Sequence, residues 1–385
     1  MTRMELMVGN KAVAYGAKLA RVQVISAYPI TPQTTIVQYL ADFIANGELK
    51  ARFIEVESEL SAMVAVQGAC FAGARVFTAT SGPGLLLMHH PMMEANTLPV
   101  VMGIVHRSTK SMQPDHTDLM AQRDSGWIQL YCENNQECLD TAIMSYKIAE
   151  DPRCLTPTIF GIDGYILSYT DEPVEISDQE AVDEWLPPFK PKWALDPKVP
   201  YVEWRKEMQA SMAMRTGFKA HDAHLRKSLD IIKEVHADFE KTFGRGYGNG
   251  LLEEYSCDGA EAVIVAMGTI ASTARSVVDD LRAEGQRVGL VKLKCFRPFP
   301  ADEMRRLAGK YRAIGVIDRN VSLGAGGNVF NEARSAVYDM EERPRIIGFH
   351  AGMAGAEVTP AMIRKMAEKT LKATTGPVES LVEWI

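Results

Sequence analysis

The chain has 385 residues, of which 46% are apolar and 24% charged, and its net charge is −7 at neutral pH. This length favours two domains, and the acidic balance argues against a general binder of nucleic-acid phosphates. No uninterrupted apolar stretch approaches the roughly 18–20 residues that a membrane span requires. The first residues also lack a signal-peptide pattern, so we expect a cytoplasmic protein that binds neither nucleic acid nor membrane.

The first 170 residues alternate between helical and extended patterns, which predicts a parallel sheet covered by helices, an α/β fold. The predicted helices are Asn10–Leu19, Thr34–Ala45, Glu59–Ala72 and Leu85–Glu94; the predicted strands are Val22–Ala27, Arg52–Glu57, Val76–Ser81 and Pro99–Val105. In such sheets ligands bind beyond the carboxyl ends of the strands. The segments YPITP, ESE, TSGPG and HRS all follow strands, so we expect these four loops to meet at one edge.

A proline-rich stretch follows, with six prolines between Pro173 and Pro200. So many prolines disfavour a helix or a central strand. We interpret residues 171–205 as an ordered arm, because Trp185, Phe189 and Trp193 favour burial. A long helix is then predicted at Ala220–Phe243.

From Ala262 the α/β alternation returns, with the strands AVIVAMG, RVGLVKLK and AIGVID separated by helical segments. We therefore divide the chain into one domain at residues 1–245, which includes the arm and the long helix, and a second at residues 260–385.

Glu59, in the segment VESEL, is the first candidate for catalysis. A carboxylate at a helix start often only complements the helix dipole. Glu55 and Glu57 are alternatives in the same cluster, but Glu59 falls just past the strand end, where a ligand can be reached. A glutamate held in an apolar cleft can share a proton with a basic nitrogen, which suits an aminopyrimidine ring.

Arg107 ends the apolar strand VVMGIVHR. A guanidinium at a strand end, beside the Thr31 hydroxyl, can bind a carboxylate through charge-assisted hydrogen bonds. The alternative is a salt bridge to Glu57, Glu59 or Asp118. Alternation along the strand directs the neighbouring His106 to the opposite face.

The segment TSGPG lacks the GxxxxGK[ST] pattern of a phosphate loop, which favours a tight turn between strand and helix. Six cysteines are spread along the chain without a CxxC pair or a CxxCxxC run. We predict buried free thiols, so that any iron–sulfur cluster would belong to another polypeptide.

Together these loops resemble the alpha subunit of thiamine-diphosphate-dependent 2-oxoacid:ferredoxin oxidoreductases, in particular the pyruvate branch. The resemblance rests on YPITPQT, VESELSAMVAVQGACFAGARVFTATSGPGL, LPVVMGIVHR, HTD, YKIAEDP, DGYILSYTDEPVEISDQEAVDEWLPP and KLKCFRPFP, and it covers nearly the whole chain. It implies a pyrimidine-binding N-terminal domain and a second domain of the transketolase C-terminal type, which we expect to serve assembly.

The resemblance also implies roles for individual residues. Glu59 would bond N1′ of the pyrimidine ring, and Thr31 and Arg107 would orient the substrate carboxylate. Further cofactor contacts are expected from the two loops that hold Pro29, Ile30, Ser81 and Gly82. No metal ligand is expected in this chain.

The GDG motif that holds magnesium and the diphosphate in thiamine enzymes is missing here. The resemblance therefore implies a beta subunit that supplies Mg²⁺ and the diphosphate-binding half of the site. It also implies a gamma-type subunit and a delta-type subunit with [4Fe-4S] clusters, with coenzyme A and a 2-oxoacid as substrates. Electrons would pass to ferredoxin or to an NAD-reducing subunit.

Only eight residues, STKSMQPD, separate Arg107 from the HTD motif, whereas pyruvate-type members tend to have a longer loop. Pyruvate is the expected substrate, phenylglyoxylate is the leading alternative, and oxalate fits less well. Two rival hypotheses are a non-catalytic scaffold subunit, and a thiamine carboligase or decarboxylase that transfers no electrons.

Overall fold

The computed structural model describes residues 3–95, 97–191, 194–196, 198, 217–378 and 380–385. The helices are α1 Gly9–Leu19, α2 Thr34–Ala45, α3 Glu59–Phe71, α4 Gly82–Leu87, α5 His89–Glu94, α6 Thr117–Met120, α7 Asn135–Ala149, α8 Gln179–Trp185, α9 Phe218–Phe243, α10 Thr269–Ala283, α11 Ala301–Ala308, α12 Asn328–Val337 and α13 Pro360–Lys372. The strands are β1 Arg3–Val8, β2 Val24–Ser26, β3 Arg52–Ile54, β4 Val76–Thr80, β5 Val101–His106, β6 Ile128–Tyr131, β7 Thr158–Asp163, β8 Asp171–Ile176, β9 Leu252–Tyr255, β10 Ala262–Ala266, β11 Val288–Leu293, β12 Cys295–Arg297, β13 Ala313–Asp318, β14 Arg345–His350 and β15 Val382–Trp384.

The first sheet has seven strands in the order β12-β6-β7-β5-β4-β2-β3. All its neighbours pair in parallel except β12, which runs antiparallel to β6. Every residue of β4, β5 and β7 is buried, as expected for strands covered by helices on both faces. The predicted parallel sheet is confirmed.

The second sheet has six strands in the order β15-β14-β13-β10-β11-β9, with only β9 antiparallel. β9 belongs to this sheet although it precedes residue 260, and β12 joins the first sheet although it follows that residue. The chain therefore passes to the second sheet before β9 and returns to the first sheet at β12. The division at 245 and 260 stays a prediction.

The proline-rich arm is more regular than predicted. Its first part, β8, pairs antiparallel with β1, with Leu6 opposite Pro173. A two-stranded sheet leaves one side of each strand open, so a proline without an N–H group is tolerated there. The prolines were expected to disfavour a helix in the arm, and this was wrong for α8, which begins at an Asp178 cap that accepts a hydrogen bond from Glu180 N. Trp185 is buried and Phe189 half-buried.

Two further expectations have an outcome in the structure, and one does not. Trp193 and most of residues 192–205 lie outside the described residues. The helix predicted at Leu85–Glu94 is divided at Met88 into α4 and α5. All six cysteines are free thiols, five of them buried and Cys257 partly exposed.

A buried ion cluster joins the two sheets. Lys292 and Lys294, on β11 and just after it, place their ammonium groups 2.8 and 2.6 Å from the Glu137 carboxylate on α7. Burial alone would raise the pKa of Glu137, but the two lysines outweigh it and lower that pKa to about 2. The described residues include no helix that is long and apolar enough to cross a bilayer.

Candidate active site

Adjacent strands of the first sheet bring the predicted site residues to one edge. β5, β4, β2 and β3 are neighbours and parallel, so their carboxyl ends lie together. The loops after them, with the start of α3, hold Pro29, Ile30, Thr31, Glu59, Ser81, Gly82 and Arg107. The order of the strands therefore places the four loops at one edge of the sheet, as predicted.

Glu59 is the first residue of α3 and only 7% exposed. Ser58 caps this helix by accepting a hydrogen bond from Ser61 N at 3.3 Å, which fixes where α3 begins. The alternatives Glu55 and Glu57 are both exposed. No hydrogen bond or ion pair joins the Glu59 carboxylate to another residue that the structure describes. A buried carboxylate without a protein partner is costly, and a bound ligand would satisfy it.

Gly84, in the first turn of α4, packs directly against Glu59. A Cβ atom built on Gly84 would lie 2.5 Å from Glu59 Oε1 and would also collide with the Thr80 hydroxyl. The hydroxyl oxygens of Thr80 and Ser81 are buried and have no partner among the described residues. Because one Cβ position on Gly84 would meet both Glu59 Oε1 and the Thr80 hydroxyl, an unpartnered hydroxyl lies close to this carboxylate. Such polar groups fit a ligand that forms hydrogen bonds, such as the pyrimidine ring.

Arg107 directs its guanidinium across the sheet edge to the loop after β2. Its Nη1 donates a hydrogen bond to the Thr31 carbonyl at 3.1 Å, while its Nε–H is buried without a partner. The alternative, a salt bridge to Glu57, Glu59 or Asp118, is not found, because no carboxylate of the described residues pairs with this guanidinium. Donors that no protein group satisfies suit the binding of a substrate carboxylate.

Asn10, a buried residue of α1, anchors the loop after β2. The Asn10 amide donates to the Pro32 carbonyl at 2.8 Å and to the Thr35 hydroxyl at 2.7 Å. Pro29 and Thr31 are exposed and Ile30 is half-buried. This loop is therefore anchored on the inside and open on the outside.

Sequence reasoning named Asp118, on the short helix α6, only as a possible salt-bridge partner of Arg107, and it missed the contacts that Asp118 makes. Its Oδ2 accepts hydrogen bonds from Arg107 N at 2.9 Å and from Gly82 N at 3.3 Å. Its Oδ1 accepts from His106 Nδ1 at 2.9 Å and from Leu119 N at 2.7 Å. The only signal in the sequence was the HTD motif, which does not reveal this contact.

Behind Asp118 lies a second buried cluster, also missed. His116 Nε2 contacts Asp163 Oδ1 at 2.7 Å, and Arg319 Nη1 lies 3.2 Å from Asp163 Oδ2. Burial would raise the pKa of Asp163, but His116 and Arg319 hold it well below its usual value. His106, His116 and Asp163 lie close enough to share a cation. The Arg319 guanidinium already balances the Asp163 carboxylate, whereas His106 Nε2 and His116 Nδ1 are buried without a partner among the described residues.

Comparison with known proteins identifies the family and the fold. Residues 15–235 match the family model "Pyruvate flavodoxin/ferredoxin oxidoreductase, thiamine diP-bdg", and residues 260–363 match "Pyruvate:ferredoxin oxidoreductase core domain II". Among solved structures, a 2-oxoglutarate:ferredoxin oxidoreductase from Magnetococcus marinus superposes with a TM-score of 0.68 at 20% identity. The match covers 96% of this chain and 65% of that one. A split-gene transketolase superposes with a TM-score of 0.56 at 13% identity, covering 94% and 98%. At these identities the likeness shows the fold alone.

Full-length relatives are closer in sequence. The chain is 45% identical to "Pyruvate synthase subunit PorA" of Pyrococcus horikoshii, over 99% of this chain and 97% of the relative. It is 42% identical to the subunit of the same name from Methanothermobacter thermautotrophicus, over 99% and 98%. It is 41% identical to "Ketoisovalerate oxidoreductase subunit VorA" of Pyrococcus horikoshii, over 98% and 96%. The chain belongs to the pyruvate flavodoxin/ferredoxin oxidoreductase family, and the resemblance inferred from its motifs is confirmed.

Proposed function

We propose that this chain is the alpha subunit of a 2-oxoacid:ferredoxin oxidoreductase that decarboxylates pyruvate oxidatively and transfers the acyl group to coenzyme A. The observation that carries the proposal is the buried Glu59 carboxylate, which lacks a partner among the described residues and lies at the same sheet edge as Arg107 and Thr31. Relatives named for pyruvate and for ketoisovalerate favour a pyruvate-type substrate over phenylglyoxylate.

Thiamine diphosphate, when bound, supplies the electron sink that lets a 2-oxoacid lose carbon dioxide. Glu59 holds a proton at N1′ of the pyrimidine ring, and its burial keeps water from competing for that hydrogen bond. Gly84 leaves the carboxylate room for its present position, because any side chain there would displace it. Further cofactor contacts in this proposal come from Ser81 and Gly82, after β4, and from Pro29 and Ile30, after the neighbouring strand β2.

Arg107 and Thr31 orient the substrate in this proposal. The guanidinium keeps uncommitted donors for the carboxylate of the 2-oxoacid, and its bond to the Thr31 carbonyl fixes its direction. Fixing the carboxylate places the neighbouring keto carbon toward Glu59 and the cofactor. The eight-residue loop after Arg107 is short and tight, with Ser108 N donating to the Gln113 carbonyl at 2.9 Å. It forms one wall of the substrate region.

A partner subunit completes the cofactor site in this proposal. The sequence lacks the GDG motif, so Mg²⁺ and the diphosphate would be held by a beta subunit. Exposed apolar side chains on α3, α4 and α5, the helices that follow β3 and β4, support this. They are Leu60, Val64, Leu86, Leu87 and Met93. A gamma-type subunit and a delta-type subunit with [4Fe-4S] clusters would complete the enzyme, with ferredoxin or an NAD-reducing subunit as acceptor. The cytoplasmic location expected from composition stays a prediction.

The test is Glu59→Gln, made in the chain co-expressed with its partner subunits. Glutamine keeps the shape of the side chain but does not exchange a proton, so we expect an assembled complex whose pyruvate-dependent dye reduction falls by about 10²-fold or more. Glu57→Gln is the matched control, because Glu57 is exposed and two residues away. Near-normal turnover of the Glu59 variant would exclude the proposed role.

The alternative of a non-catalytic scaffold is distinguished by the cofactor. If the purified wild-type complex neither binds thiamine diphosphate nor releases carbon dioxide from pyruvate, phenylglyoxylate or 2-oxoglutarate, the scaffold hypothesis replaces the proposal. A complex that releases carbon dioxide without reducing any acceptor would instead indicate a plain decarboxylase.

A further inference from the structure

Asp118 connects two of the loops that form the candidate site. One oxygen, Oδ2, accepts hydrogen bonds from the backbone N–H groups of Arg107 and Gly82, at 2.9 and 3.3 Å. These residues follow β5 and β4, which are paired neighbours in the sheet. A single buried carboxylate therefore holds two strand ends in register at the point where both leave the sheet.

The two loops are packed tightly around this contact. A Cβ atom on Gly82 would lie 3.1 Å from the Arg107 carbonyl and 3.2 Å from Arg107 Cβ, and the φ angle of Gly82 is +38°. Glycine adopts this backbone most readily, and a side chain at this position would press on Arg107. The direction of the Arg107 side chain thus depends on where the 82 and 107 backbones are fixed.

His106 in turn fixes the Asp118 carboxylate. Its Nδ1 lies 2.9 Å from Asp118 Oδ1, and the His106 ring is buried, stacked on Tyr131 at a centroid distance of 5.2 Å. The His116 ring packs at 4.6 Å on the same imidazole. A rigid aromatic stack therefore holds the imidazole so that its N–H group faces the carboxylate.

We propose that Asp118 is a positioning residue for the oxidoreductase reaction: it fixes the backbone of Arg107 against Gly82, and His106 fixes the orientation of Asp118. This inference depends on the proposed function, since it takes Arg107 as the group that binds the 2-oxoacid carboxylate. Asp118 itself is fully buried and acts only through the backbones it holds.

Asparagine cannot replace this carboxylate, although it has the same shape. Asp118 accepts four hydrogen bonds, two on each oxygen. An asparagine offers one oxygen and one NH₂ group, so its NH₂ would face either Leu119 N or the two strand-end amides, all of which can only donate. A buried donor facing a donor is relieved only by movement of the backbone.

The test is a double-mutant cycle of Asp118→Asn and Arg107→Ala in the complex with its partner subunits. Asp118→Asn alone is expected to raise KM for pyruvate tenfold or more, while thermal unfolding shows a folded protein. In the Arg107→Ala background the same change is expected to raise KM by less than about threefold, because the residue through which it acts is missing. Equal factors in both backgrounds, or an unchanged KM in the single variant, would overturn the positioning role.

Two further variants guard against a simple folding defect. Asp140→Asn is the matched control, since Asp140 is also fully buried and accepts four hydrogen bonds, from Gln136, Arg245 and Tyr247. It is expected to lower the unfolding temperature without changing KM. His106→Asn keeps an N–H group near the position of Nδ1, whereas His106→Leu removes it, so KM is expected to rise more in the leucine variant. If Asp118→Asn does not fold, the two His106 variants test the proposal instead, and equal KM values in these two variants would overturn it.

A failure of this inference is distinguishable from a failure of the proposed function. A wild-type complex that is active on pyruvate, with Asp118→Asn kinetics equal to wild type, removes only the positioning role. An inactive wild-type complex that binds no thiamine diphosphate removes both.

Discussion

Replacing His236 by asparagine is expected to reduce the loss of stability that acid causes. His236, on α9, is 3% exposed, and its Nδ1–H donates a hydrogen bond to the Ile232 carbonyl at 2.8 Å. Its Nε2 is buried and has no partner among the described residues. Burial, together with the nearby ammonium groups of Lys294 and Lys292, lowers its pKa to about 3, against the smaller opposing effect of Glu137. Protonation would place a third cation beside the two lysines.

The size of the effect follows from the two pKa values. The unfolded chain binds a proton at His236 near pH 6.5, whereas the folded chain does so only near pH 3. Between these values the unfolded state holds more protons, so the free energy of unfolding falls as the pH falls. From pH 7 to pH 5 this one histidine is expected to cost about 1.9 kcal/mol. Carboxylates such as Glu137, whose pKa is lowered to about 2, contribute little there because they titrate below this window.

Urea unfolding of the wild type and of His236→Asn at pH 7, 6 and 5 measures the difference. Burial also lowers the pKa values of His116, His221 and His350, so both proteins lose stability and only the difference between them reports on His236. Substituting the exposed His90 by asparagine is the matched control and should leave the wild-type slope unchanged. If the wild type and His236→Asn lose equal free energy between pH 7 and pH 5, the buried neutral histidine is refuted.

Two more expectations concern buried or converging charges. Arg107→Ala should raise KM for pyruvate with little change in thiamine diphosphate affinity. Arg107→Lys should recover only part of the loss in pyruvate binding, because an ammonium lacks the planar, paired donors of a guanidinium. Steady-state kinetics with titrated cofactor measure both quantities, and a fall in cofactor affinity at unchanged KM would contradict this prediction. Glu137→Gln should destabilise the protein by about 3–5 kcal/mol in denaturant unfolding, because it leaves the buried Lys294 without its carboxylate partner, whereas Lys292 keeps Glu133 at 2.8 Å. The exposed pair Arg226–Asp222 offers a control, and its loss should cost below about 1 kcal/mol.

The sequence predicted the first sheet well because its strands are short apolar runs followed at once by polar loops. β4 and β5 are buried along their whole length, so the pattern of the sequence and the burial of the structure coincide. The same reasoning selected Glu59 over Glu55 and Glu57. It depended on one local signal, the helix start after Ser58, and the structure places a capped helix there.

Other features could not be predicted, because they depend on contacts between segments far apart in the chain. β12 lies in the second half of the chain but pairs with β6 of the first sheet, and its sequence, CFR, does not indicate which sheet it joins. β8 was missed because Pro173 is unfavourable in a central strand, and local sequence does not reveal that a strand has only one neighbour. The buried lysines Lys292 and Lys294 likewise make sense only when α7 brings Glu137 to them.

The site shows the same division between local and distant information. Alternation along β5 correctly separates Arg107, which reaches Thr31, from His106, which is buried against Tyr131. That separation is what allows His106 to meet Asp118, and Asp118 then reaches back to the Arg107 amide. A motif search finds the groups that contact a ligand, because those groups carry distinctive chemistry at strand ends. It does not find the carboxylate that holds them, since a backbone N–H group is present at almost every position and gives no sign in the sequence of which acid it will bind.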